Sequence, residues 1–267
     1  MTKIALVAFF DAYPPKSGAG NVTWDFYESI KGKEKKFFQL SDKSITNKKI
    51  VNQNIYINKP VFKLLFLPIF FFKIFRFLNK NEKKILIIEG ASWVFYSFLL
   101  VFFSKFITNL YVVYRSHNIE YDLRSFKNLF FIKIITKYFE NYIFNRCNLS
   151  TVVSKIDQKR IKKLYEAKSH IFPNSIDIKK LNLIKKNKTL SLPKKYIFFC
   201  GSYDYLPNKL AIDYLLKEIF PLIKKKKIHL VLAGGFNDNF SDNFFLNFGI
   251  VNYNDLKILY KKSIALV

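Results

Sequence analysis

Cysteine is nearly missing: Cys147 and Cys200 are the only two in 267 residues, far apart and without ligand spacing. This excludes a disulfide framework or a cysteine metal knot, and both read as buried thiols of a reducing compartment. Acidic residues are also short, 19 Asp and Glu against 45 Lys and Arg, for a net charge of +26. Such an excess points to an anionic partner, a lipid surface, a phosphorylated substrate or nucleic acid. The lysines are scattered rather than gathered on one helix, so no specific nucleic-acid reader is expected. Wealth in Lys, Ile, Asn, Phe and Tyr with few Ala, Gly and Arg is also what AT-rich coding sequence produces, a second source of the charge. No metal-ligand cluster, Walker loop or nucleophile elbow occurs, so neither a bound metal nor a cofactor is expected. A clean membrane-spanning run is absent as well. Val61–Leu78 is interrupted by Lys63, Lys73 and Arg76 and broken by Pro68, and reads as a packed helix or a basic, aromatic interfacial one. The N-terminus has one lysine before a short apolar run and reads as a first strand, not a signal peptide.

Half of the residues are apolar, enough for a sizeable core, and the length suggests two domains. Ile4–Phe10 is a continuous apolar run of the kind buried on both faces of a parallel sheet. A loop with Gly18 and Gly20 follows, then a helix from about Asn21 to Ile30. Short strands are expected at Phe37–Leu40 and Ile55–Ile57, and a firm one at Ile85–Ile88 that turns at Glu89-Gly90 into a Trp93–Phe103 helix. Leu110–Tyr114 is the next strand, followed by an amphipathic helix over Leu129–Asn145 and a strand at Leu149–Val153. Ser154 is placed to cap a basic helix, with Asp157 at the capping-box position. A lysine-rich linker precedes a second series: strand Tyr196–Cys200, helix Ala211–Ile223, strand His229–Ala233, a helix from Asp255 to Lys262 and a last strand from Ile264. Strands alternating with helices imply doubly wound parallel sheets.

Several residues stand where such sheets bind ligands, outside the carboxyl ends of strands. His117 ends a buried strand beside Ser116, Asn118 and Glu120, well placed for acid–base work or transition-state hydrogen bonding. Glu89-Gly90 ends another strand; a functional role and simple turn stabilisation both fit it. Gly18 and Gly20 precede a helix N-terminus and can offer N–H groups to an anion. The first glycine lies well past the strand end and Thr23 holds the third fingerprint position, which argues against NAD. Gly201-Ser202, before a helix start at Pro207-Asn208 with Lys209 near, suits a diphosphate or is an ordinary turn.

These segments together resemble the GT-B-fold glycosyltransferases of family four that build bacterial surface polysaccharides. The resemblance is carried in order by PPKSGAGN, the EG at Glu89-Gly90, SHNIE at Ser116–Glu120, VSKID leading to FPNSID, GSYDYLPNKLAIDYLLKEIFP, LVLAGG and FGIVNYNDLKILYKKSIALV. It implies an α/β fold of two Rossmann-like doubly wound domains, the second incomplete: residues 1–173 on the acceptor side, a linker at 174–194, and a partial nucleotide-sugar domain at 195–267. It implies metal-free sugar transfer with retention, His117 being catalytic. Gly18, Gly20, Asn174, Gly201, Ser202, Lys209, Gly249 and Val251 would bind the donor, and Asn21, Glu89, Asn118 and Glu120 the acceptor. The partners expected are a nucleotide-sugar, a glycolipid or polysaccharide acceptor and an anionic membrane surface, at the inner face of the plasma membrane. Ser202 and Asn208 stand where many relatives carry an Arg and a Lys. The family's paired-glutamate motif would fall after Val267, so a truncated chain is expected. The alternatives are an inactive nucleotide- or acceptor-binding fragment and a nucleotide-sugar 2-epimerase.

Overall fold

The computed structural model describes residues 2–15, 17–31, 34–41, 53–56, 63–79, 83–125, 130–175, 190–203, 205–236 and 240–267. Two compact units divide the chain, Met1–Ile176 and Asp177–Val267. Most of the expected linker, Val61 and the start expected for the Leu129 helix lie outside the described residues.

In the first unit, β1 (Thr2–Ala8), β2 (Glu34–Ser41), β3 (Gln53–Tyr56), β4 (Lys83–Gly90), β5 (Leu110–Ser116), β6 (Leu149–Val152) and β7 (His170–Ile171) form one sheet. All neighbours are parallel, in the order β3-β2-β1-β4-β5-β6-β7. The continuous apolar runs are explained by burial on two sides. Ala5, Val7, Leu86 and Ile88 enter one core layer, and Ile4, Leu6, Ala8 and Ile87 the other, as the period of two requires. The first layer is roofed by α2 (Lys63–Leu78), α3 (Val94–Ser104), α5 (Phe130–Arg146) and α6 (Lys155–Tyr165), the second by α1 (Gly18–Ser29).

The helix α1 starts earlier than expected. Gly18–Gly20 form its first turn rather than a preceding loop, because the Ser17 hydroxyl accepts from Gly20 N at 3.0 Å and caps the end. In α2, Leu67, Phe70, Phe71, Ile74, Phe77 and Leu78 form a buried stripe, the packed-helix pattern. No helix among the described residues is long and apolar enough to cross a membrane. At α6, Ser154 caps as expected, accepting from Asp157 N at 3.1 Å, and its hydroxyl donates to the Asp157 carboxylate at 2.6 Å. A short helix that the pattern did not suggest, α4 (Glu120–Ser125), follows the His117 loop.

The second unit has a parallel sheet ordered β10-β9-β8-β11, made of β8 (Tyr196–Cys200), β9 (His229–Ala233), β10 (Phe245–Asn247) and β11 (Ala265–Leu266). One face is covered by α7 (Leu206–Tyr214), a π-helical turn (Leu215–Ile219) and α8 (Phe220–Lys225), the other by α9 (Tyr253–Lys262). The wide turn has a local cause. Pro221 has no N–H to give to the preceding turn, and Phe220 N–H donates to Leu215 O, five residues back. Cys147 is largely enclosed, and burial pushes its thiol up to about 12. Cys200, the last residue of β8, is exposed, contrary to expectation.

Candidate functional site

The adjacent strands β4 and β5 pair Glu89 with Arg115 and Gly90 with Ser116, so the two charged side chains leave the sheet on the same face, toward α1. Glu89 is fully buried. Its Oε1 accepts from Arg115 Nη1 at 2.5 Å, and its Oε2 from His117 Nε2 at 2.6 Å and from Thr23 Oγ1 at 3.2 Å. A buried carboxylate held this way has its desolvation offset by charge and hydrogen bonds together. Arg115 is itself held between rings. Its guanidinium lies 3.7 Å from the centroid of Phe26 and 5.2 Å from that of Phe172, a cation–π arrangement. With Nε2 donating to Glu89, the ring of His117 is fixed in orientation and Nδ1 is its remaining nitrogen. Ser92 Oγ and Arg115 Nε are buried and unpartnered among the described residues, so this edge retains donor capacity.

Gly90 has a steric reason for being glycine. A Cβ there would lie 2.5 Å from the phenol oxygen of Tyr114, a ring that is itself fully buried. Gly90→Ala is expected to cost about 1–3 kcal/mol by overpacking, read as a lower urea midpoint with an unchanged m-value.

The loop carrying His117 is anchored from below. Ser116 Oγ donates to Asn118 O at 2.7 Å. The buried carboxylate of Glu140, on α5, accepts from Glu120 N at 2.8 Å and Tyr121 N at 2.9 Å, at the start of α4, and from Tyr165 Oη at 2.6 Å. Arg160 of α6 grips Asp122 with two hydrogen bonds of 2.7 and 2.9 Å. Burial pushes the Glu140 carboxyl from 4.5 up to about 7 despite its three donors. The native state therefore binds this proton more tightly than the unfolded chain. The resulting stability is fully present below about pH 4.5 and is lost as pH rises through about 7, a span of about 3 kcal/mol. Glu140→Gln should flatten that slope in melts taken from pH 5 to 8.

Among the other residues named from sequence in this unit, Asn21, Asn118 and Asn174 are exposed, and Gly18 and Gly20 are in the first turn of α1. Glu120 is buried, its carboxylate 3.3 Å from Arg124, and burial raises its pKa. His117 and Glu89 are thus brought together, whereas Glu120 is turned inward. Thr23, Arg115 and Glu140 were missed. Arg115 had a signal, a charge at an inward position of an otherwise apolar strand.

In the second unit, the loops after β8 and β9 and the turn after β10 converge. Gly201 N donates to Ala233 O at 3.0 Å and Gly234 N to Gly249 O at 2.7 Å. Gly201 and Gly249 therefore meet through Gly234. Gly234 has φ +121°, and a Cβ there would lie 2.4 Å from Gly201 O. Asn208 Nδ2 donates to Ser202 O at 3.0 Å, closing the loop before α7. Among the described residues no side chain caps the N-terminus of α7, and Leu206 and Asn208, on either side of Pro207, have N–H groups there for an anion. Ser202 is exposed, Val251 half-buried, and the Lys209 ammonium lies over the Tyr203 ring at 5.3 Å. Gly234→Ala, with left-handed strain and a backbone clash, should cost about 3 kcal/mol or more, read as lost hydrogen-exchange protection in β8 and β9.

No protein-family model matches the chain, and no curated protein matches it in sequence. Solved structures do match. The sucrose-phosphate synthase of Thermosynechococcus elongatus is similar with a TM-score of 0.68 and 13% identity over 100% of this chain and 75% of that one. The HepE protein of Anabaena in complex with UDP-glucose gives 0.60 and 11% over 99% and 72%. A UDP-GlcNAc 2-epimerase of Methanocaldococcus jannaschii, in complex with UDP-GlcNAc and UDP, gives 0.57 and 11% over 100% and 78%. At these identities the likeness carries fold rather than function: the chain is an α/β protein of two Rossmann-like doubly wound units, the GT-B architecture that its motifs resemble.

Proposed function

We propose that the protein is a retaining glycosyltransferase of the family-four type. It moves a sugar from a nucleotide-sugar to a lipid- or polysaccharide-linked acceptor in cell-envelope glycan synthesis, peripherally at the inner face of the plasma membrane. The observation that carries this reading is the Glu89–His117 pair, an oriented imidazole at the carboxyl edge of a parallel sheet, anchored by a buried Arg115. The binding of UDP-glucose or UDP-GlcNAc by proteins of the same fold supports a nucleotide-sugar as the ligand.

In this reading the donor's diphosphate rests on the Gly201–Ser202 loop and the uncapped start of α7, with Lys209 as the nearby cation; the nucleoside lies toward Gly249 and Val251. Backbone N–H groups and a helix dipole take up the charge that grows on the leaving diphosphate. His117 hydrogen-bonds the transferred sugar as its bond to the diphosphate breaks, the Gly18–Gly20 turn serves the donor, and Asn118 and Asn21 serve the acceptor. Glu89 and Glu120 then act by position: one holds His117, the other lies inside the fold.

The epimerase alternative needs a carboxylate able to take a proton from the sugar. Glu89 is committed to Arg115, His117 and Thr23, and Glu120 to Arg124, which favours transfer. A panel of UDP-, GDP- and ADP-sugars, each with a membrane-extract acceptor, separates the readings by mass spectrometry. Release of nucleoside diphosphate with mass gained by the acceptor supports transfer. A donor returned as its epimer would overturn it, and saturable binding without turnover would identify the binding fragment.

A further inference from the structure

The outer surface of the layer α2–α3–α5 is unusual for a water-facing one. On α2, Leu65 is 69% exposed and Phe72 63%, beside exposed Phe66 and Ile69. Phe106, just after α3, is 75% exposed, and Phe131 of α5 is 79% exposed, beside Phe130, Ile134 and Ile135. The three helices that carry them are packed side by side: Phe71 of α2 meets Phe103 of α3 at 6.0 Å, Phe98 of α3 meets Phe139 and Tyr138 of α5 at 4.4 and 6.4 Å, and Phe102, which also meets Phe106 at 6.0 Å, meets Tyr142 at 6.4 Å. Single exposed apolar residues are ordinary, but this many large ones on three touching helices mark a surface that is covered in use.

Charge says what covers it. The helices α2 and α3 contain no acidic residue, and α5 has only Glu140, which is buried. The basic residues are Lys73 and Arg76 at the end of α2, Lys105 after α3, and Lys133, Lys137 and Arg146 on α5. Lys105 and Arg146 lie over the Tyr142 ring at 5.2 and 6.0 Å, and Lys133 and Lys137 over Tyr121 at 4.9 and 5.7 Å. Cationic tips thus lie on aromatic rings at this surface, a mixture of charge and apolar area that suits a lipid headgroup boundary. A second copy is a poorer occupant, since a two-fold contact would set this single-sign face against itself.

We propose that the α2–α3–α5 face docks on an anionic phospholipid membrane, Leu65, Phe72, Phe106 and Phe131 entering the headgroup–acyl boundary while Arg76, Lys105 and Lys137 meet the phosphates. The proposal deepens the membrane-linked acceptor reading by naming the surface, yet stands on exposure and charge alone. Binding measured without donor can therefore fail while transfer in lipid-free solution succeeds, or the reverse.

The test is cosedimentation of the full chain with vesicles of phosphatidylcholine and with an equimolar phosphatidylcholine–phosphatidylglycerol mixture. Binding is expected to the mixed vesicles, weakened by salt. Arg76→Gln with Lys137→Gln should weaken it about thirtyfold. Leu65→Asp with Phe131→Asp should abolish it while leaving circular dichroism and melting unchanged, all four side chains being on the surface. Failure to bind the mixed vesicles would overturn the proposal, as would equal binding to both kinds. A solution dimer that Leu65→Asp dissociates would assign the face to a second copy instead.

Discussion

Replacing Glu89 with alanine is expected to destabilise the first unit by about 3–5 kcal/mol, the loss typical when one member of a buried ion pair is removed. The magnitude follows from what is left behind. Arg115 is 5% exposed and packed between Phe26 and Phe172, with Nη1 on the missing carboxylate. It would stay charged in an aromatic slot, while Thr23 and His117 would lose the same acceptor. Both tryptophans of the protein, Trp24 and Trp93, belong to this unit, so their fluorescence during urea unfolding follows it alone. Glu89→Leu combined with Arg115→Leu should recover part of the loss, because an apolar pair pays no desolvation. The double-mutant cycle would then give a coupling of about 2 kcal/mol or more. A single Glu89→Ala loss below about 1 kcal/mol would mean that solvent, not Glu89, supports Arg115.

The strands were legible because burial on both faces writes itself into uninterrupted apolar runs. Tyr196–Cys200 and His229–Ala233 were read at the limits seen in β8 and β9. Helix starts were harder. Glycines look like loop, and only the Ser17 cap makes Gly18–Gly20 helical; at α7 the apolar pattern began at Ala211, whereas the helix opens at Leu206, beside the start read at Pro207-Asn208, because Pro207 suits a first turn. The helix α4 is too short for a hydrophobic period, and its stability lies in Glu140 and Arg160, distant in sequence. At the site, His117 and Glu89 could be picked singly from their places after strands. Their contact could not, since it depends on the β4–β5 register, and Thr23 enters only through the packing of α1. The exposed apolar face was half visible. Val61–Leu78 suggested an interfacial helix, but the share of α3 and α5 emerges only when rings from three helices are seen to touch.

His117→Ala is expected to lower turnover about a hundred- to a thousandfold with little change in donor KM, under the transfer reading. One well-placed hydrogen bond that strengthens in the transition state is worth that much, and equal falls in kcat and kcat/KM are its kinetic signature. The structure gives a second arm to the test. Glu89 holds the ring through Nε2 at 2.6 Å and touches nothing but Arg115, His117 and Thr23 in its described hydrogen bonds, so it acts as a positioning residue. Glu89→Gln should therefore reduce kcat by a smaller factor, about tenfold to a hundredfold, by loosening the ring and its tautomer. In His117→Ala background the same change should have almost no further effect on kcat, because there is no ring left to position. Nucleoside diphosphate release from the donor found active in the panel would be followed for all four proteins, with tryptophan fluorescence checking that each is folded. Additive losses in the double variant would separate Glu89 from His117 and make it a purely structural group. Unchanged turnover in His117→Ala would remove the imidazole from the reaction and leave the buried network as a support of the fold alone.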